Sequence, residues 1–148
     1  MKPDVAQVLA DLAGRVARNA APQIPAAQRA GELGLSAMLL GLAAEMWDGA
    51  AEILVQENAA LRGLLASGAR VSQDNARRRW LVELAGGRDG SLRLSVLQDA
   101  NAELRVALIA LHAELERRED AEAKALEADV WRELVAGAER RRLSGSPV

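Results

Sequence analysis

Residues 53–65 read "ILVQENAALRGLL", and residues 95–108 read "SVLQDANAELRVAL". With Leu54 aligned on Leu97, both spell Leu-x3-Asn-Ala-x-Leu-Arg-x2-Leu, so Asn58 matches Asn101 and Arg62 matches Arg105. Leucines recurring at intervals of three and four mark one face of a helix, not a strand. A lone asparagine in such a seam costs stability but can fix register and oligomeric state if it meets a matching partner. The repeat therefore predicts two helices, each with an apolar seam interrupted once by a polar residue.

The seam extends in both directions. Heptads traced back from Asn58 put Leu33, Leu40, Trp47, Leu54 and Leu61 at d, and Ala37, Ala44, Ala51, Asn58 and Leu65 at a. No proline occurs between residues 26 and 66, so one long helix is expected there, closed by Ser67 and Gly68. Alanine at successive a positions and glycine at 34 and 41 allow a neighbouring helix to come close. After the repeat at 95–108 the series continues as Leu111 and Leu115, then fails at Arg118 inside "ELERREDAEAK". An unbroken helix over 92–143 would be about 78 Å long. A break at residues 117–123 or a protruding arm is expected instead. Leu126, Val130, Leu134 and Ala138 then resume a stripe, and "ERRRL" (139–143) reads as a solvated helix end.

The remaining elements follow local signals. Asp4 and Gln7 form a capping box before Val5, Val8, Leu9, Leu12 and Val16, and Pro22 and Pro25 end that helix. Residues 72–85 read as a short third helix with Ala76, Trp80 and Leu84 on one face, and "GGRDGS" (86–91) is a loop.

Composition agrees. The 148 residues include 31 alanines and 23 leucines, no Phe or Tyr, and three tryptophans, a helix-forming balance poor in strand formers. The expected fold is all-α: an antiparallel bundle of four or five helices in which the second and fourth are long, coiled-coil-like pillars. Residues 1–143 are expected to form a single domain and 144–148 a flexible tail. A net charge of -2 and scarce aromatics argue against a nucleic-acid binder. Zero cysteines exclude disulfides and thiolate metal sites and fit a reducing, cytoplasmic setting. Asp4 and Asp11 interrupt any signal peptide, and no apolar run is long enough to span a bilayer.

Candidate sites are few. Trp47, Leu54, Asn58, Leu61, Leu97, Asn101, Leu104 and Leu108 are the interface or register residues. Asn58 and Asn101 face each other, or their counterparts in a second copy, if the helices place them at one height; on antiparallel pillars the matched motifs would sit at different heights. Arg77, Arg78 and Arg79, before Trp80, could hold an anion, although three consecutive helical arginines point apart. His112 is the single histidine; no Glu stands three residues before it, so the Glu-x-x-His motif of metal-binding bundles is missing, and a general base with Glu114 or Glu116 has no further support. Glu45, Glu52 and Glu57 lack histidine partners for a metal. Ser36 echoes a nucleophile elbow but lies within a helix. No cofactor, metal or catalytic residue is expected.

The segments "MKPDVAQVLADL", "GLSAMLLGLAAEMWDGAAEILVQENAALRGLL" and "SLRLSVLQDANAELRVALIALHAELE" together resemble a group of small all-helical bacterial proteins of unassigned activity. Their genes neighbour those of acyl-CoA dehydrogenases and phosphotransferase-like kinases. The resemblance covers about half the chain and implies an accessory role near acyl-CoA metabolism. The expected function is that of a non-catalytic interaction protein, a homodimer or an accessory subunit of a metabolic enzyme. The alternative is a bundle that binds an acyl or acyl-CoA-like molecule, with its anionic group on Arg77–Arg79.

Overall fold

The computed structural model describes residues 5–19 and 25–143. The expectations for Asp4, Pro22 and the tail at 144–148 lie outside those residues. Five helices make up the described chain: α1 (Val5–Asn19), α2 (Ala26–Val71), α3 (Asn75–Gly86), α4 (Leu94–Leu115) and α5 (Ala121–Arg140). The fold is all-α, with long helices packed on one another, and there is no strand among the described residues. The described chain gathers into two compact units, one within residues 5–50 and one formed by residues 51–142.

Local chemistry sets the boundaries. The Pro25 carbonyl accepts the Arg29 amide at 3.0 Å to begin α2. Asp74 caps α3 by accepting from the amides of Ala76 and Arg77 at 2.8 and 3.1 Å. Asp120 caps α5 through the Ala123 amide at 3.0 Å. Residues 116–120 separate α4 from α5, so the expected break occurs and no single arm forms.

Two boundaries differ from expectation: α3 begins at Asn75 instead of residue 72, after its cap at Asp74, and α2 ends later than expected. Ser67 and Gly68 do not close α2, which continues to Val71. Gly68 is buried, and a methyl group there would overlap both δ-carbons of Leu111 on α4. Its small size serves close packing between helices, not a helix stop.

In the unit of residues 51–142, the second half of α2 and helices α3, α4 and α5 alternate in direction. α3 returns the chain so that Asp89 meets Asn58 and Arg62. α4 then rises parallel to α2: Asn58 meets Asn101, and Ser72 meets Glu114. α5 descends until Arg141 reaches Glu57. Successive helices are antiparallel, yet the two repeat-bearing helices are parallel and their motifs lie at one height. The core between them holds Leu61, Leu65, Leu81, Leu104, Leu108, Leu111, Leu115, Leu126 and Val130, with Trp80 and Leu84 packed against it. Full burial of one such leucine contributes about 1.5–3 kcal/mol.

In the unit that includes α1 and the first half of α2, the buried face departs from the traced seam. Ser36 and Ala43 are buried, together with Leu12 of α1, and Arg15 pairs with Glu32 at 3.1 Å. Leu33, Leu40 and Trp47 are exposed. A helix buries the side its neighbour covers, and α1 meets α2 on the side of Glu32, not on the a/d side.

Candidate functional site

The repeat places its asparagines in direct contact. Asn101 Nδ2 donates to Asn58 Oδ1 at 2.9 Å, with both side chains buried. Asn58 Nδ2 donates to the Leu97 carbonyl at 3.2 Å and to Asp89 Oδ1 at 3.0 Å. Asn101 Oδ1 accepts from Arg105 Nε at 2.9 Å, and its amide also reaches Glu57 Oε2 at 3.2 Å. The pairing lies within one chain, and every polar atom of the two amides is satisfied, as buried amides require.

Each matched arginine takes a different acid. Arg62 pairs with Asp89 at 2.7 Å, which holds the Asp89 carboxyl below the usual carboxylate range. Arg105 pairs with Glu57 at 3.3 Å. Glu57 is only 2 % exposed and lies at the centre of the layer. Besides Asn101 and Arg105, it is gripped through both oxygens by Arg141. Burial pushes the Glu57 carboxyl above the ordinary glutamate range, against the opposing pull of Arg105 and Asn101.

The pairing of Glu57 with Arg141 escapes the sequence reading, which takes Glu57 only as a metal candidate without histidine partners and Arg141 as part of a solvated helix end. Glu57 corresponds to Ala100 in the second copy, so the repeat differs here by one charge, and that difference is the signal that could have found it. The "ERRRL" segment is not a solvated end: Arg140 binds Glu133 and Arg141 binds Glu57. A buried carboxylate draws these guanidiniums inward, because an unpaired charge in that position would be costly.

A cleft of about 220 Å³ opens beside this layer, lined by Glu57, Leu61, Arg105, Leu108 and Arg141 together with Leu134 and Gly137 of α5. Farther along the unit, Glu114 forms a second polar knot. It accepts from Ser72 Oγ and the Gln73 amide, both at 2.9 Å, and from Arg77 at 2.6 Å. Burial alone would raise its carboxyl, but these donors together hold it below the ordinary range.

The other sequence candidates are dispersed. Leu54, Leu61, Leu97, Leu104 and Leu108 are buried, whereas Trp47 is 62 % exposed. Arg77 is bound to Glu114, Arg78 donates to the Ser72 carbonyl at 2.7 Å, and Arg79 is exposed, so the three do not converge. His112 Nδ1 stands 3.6 Å from Glu116, and its ring meets Trp131 edge-on at 5.5 Å. Glu114 is engaged elsewhere and does not join it. Glu52 accepts from Gln56, apart from Glu57, and Glu45 is exposed. Ser36 is buried within α2. Among the described residues no cluster of three His, Asp or Glu side chains could hold a metal ion, and no helix is long and apolar enough to cross a membrane.

No family model matches the chain, and neither a curated protein nor a solved structure shows significant similarity to it.

Proposed function

We propose that this protein is a non-catalytic helical interaction protein that self-associates through the first half of α2. One observation carries the reading. Leu33, Leu40 and Trp47, spaced by sevens, are 48, 47 and 62 % exposed, whereas Leu54 and Leu61, the next two positions of the series, are each 4 % exposed. One heptad series is thus buried in its second half and open to water in its first. Exposed apolar residues aligned on one helix face mark an interaction surface.

A second copy of the same segment is the partner that fits. Leu33, Leu40 and Trp47 recur every seven residues, so a second copy of α2 presents a matching apolar stripe. Where a side chain would stand at Gly34 and Gly41 there is no atom within 4 Å, which leaves room for a closely packed helix. The non-catalytic part of the reading is supported by the engagement of Glu114 and Glu57 in ion pairs that hold the bundle together. The cysteine-free sequence supports a cytoplasmic setting.

Size-exclusion chromatography with light scattering tests the proposal. A dimer is expected at micromolar concentration, and Leu40→Glu or Trp47→Glu is expected to yield a monomer with unchanged helix content. A strict monomer at every concentration would refute self-association and leave the face to a different protein.

A further inference from the structure

We propose that the cleft between α2, α4 and α5 binds a small monocarboxylate with a short apolar tail. Its polar end holds Glu57, Arg105 and Arg141, and Leu61, Leu108 and Leu134 provide apolar walls.

Charge selects an anion. Glu133 also lines the cleft, but Arg140 already neutralises it. Two guanidiniums therefore share the single carboxylate of Glu57, an excess of one positive charge. Arg105 uses Nε on Asn101 and Nη2 on Glu57; Arg141 uses Nε and Nη2 on Glu57. The Nη1 of each lies outside these bonds. A second carboxylate would complete a pairing of two acids with two arginines, the geometry that guanidinium forks favour.

The polar end is built before any ligand arrives. Asn101 bonds both Glu57 and Arg105, and Asn58 in turn holds Asn101. Such preorganisation reduces the cost of binding. The leucine walls disfavour a fully hydrated inorganic anion, and the excess positive charge disfavours an amine. At about 220 Å³ the space falls below the roughly 300–1,000 Å³ of drug-sized sites, so the tail must be short. The site lies within residues 51–142, whereas the self-association face lies on residues 33–47.

Titration calorimetry and thermal shift on the full chain, with hexanoate as probe, test the proposal. Hexanol, hexylamine and inorganic phosphate serve as neutral, cationic and tailless comparisons. Hexanoate is expected to bind one to one and to raise Tm saturably, while the other three do not. Arg105→Gln, at a side chain 43 % exposed, is expected to weaken hexanoate at least tenfold. Gly137→Ala adds a methyl 3.8 Å from Glu57 Oε1, in ordinary contact, so it should fold normally and bind more weakly by narrowing the cleft. Leu40→Glu should leave binding unchanged. No response to hexanoate, an equal response to hexanol or phosphate, preference for hexylamine, or undiminished affinity in both cleft variants would each overturn the proposal.

Discussion

Substitution of the asparagine pair separates a register-setting contact from two unrelated buried amides. Asn101→Ala removes donations to Asn58 Oδ1 at 2.9 Å and Glu57 Oε2 at 3.2 Å, and the acceptor for Arg105 Nε at 2.9 Å. Asn58→Ala removes donations to the Leu97 carbonyl and Asp89, and the acceptor for Asn101. A net hydrogen bond contributes about 0.5–1.5 kcal/mol, and a buried polar group left without its partner costs about 1–3 kcal/mol. Each single substitution should therefore cost about 2–4 kcal/mol. Because the Asn101–Asn58 bond is lost in both, the double variant should fall short of the sum by about 1 kcal/mol or more, within the range of contacting pairs. Urea unfolding followed by circular dichroism reads this out: for a urea slope of about 2 kcal/mol/M, each single variant should lower the midpoint by about 1–2 M. Additivity to within about 0.5 kcal/mol, or a cost below about 1 kcal/mol for either single variant, would refute the reasoning.

Four further outcomes follow from the packing and the ion pairs. Gly68→Ala should destabilise the protein by about 1–3 kcal/mol in thermal unfolding, because the new methyl overlaps Leu111 inside a filled core. Gly63→Ala in the same helix, with no atom within 4 Å of the new methyl, should instead stabilise by about 0.5–1 kcal/mol. Glu114 has a folded-state pKa below its ordinary value, so its contribution is present above the carboxylate range and is lost as pH falls through the folded value. The Tm gap between wild type and Glu114→Gln should therefore shrink below about pH 5. Glu57 has the opposite sign: with its folded pKa raised, the protein loses stability as pH rises from the ordinary glutamate range to the folded value. Glu57→Gln should gain on wild type across that window in the same Tm series.

The sequence by itself determined that this chain is helical, put a loop at 86–91 where the structure has one at 87–93, and required of the long C-terminal stretch a break at 117–123 or a protruding arm, of which the break is what forms. Those features depend on local physics: alanine and leucine spacing, caps such as Asp120, and the charge run that ends the leucine series. The seam from Leu97 to Leu115 was legible for the same reason, since its residues stay apolar at every core position except Asn101. The tertiary structure alone decided which faces those helices turn to one another. α2 and α4 run parallel because α3 carries the chain back between them, and only that return brings Asn58 level with Asn101. It also made Gly68 a packing residue, drew Glu57 and Arg141 into the interior, and left Leu33, Leu40 and Trp47 in water while Leu54 and Leu61 of the same series are buried. Periodicity shows that a helix has an apolar face; burial of that face depends on a neighbour whose position is set by contacts distant in sequence.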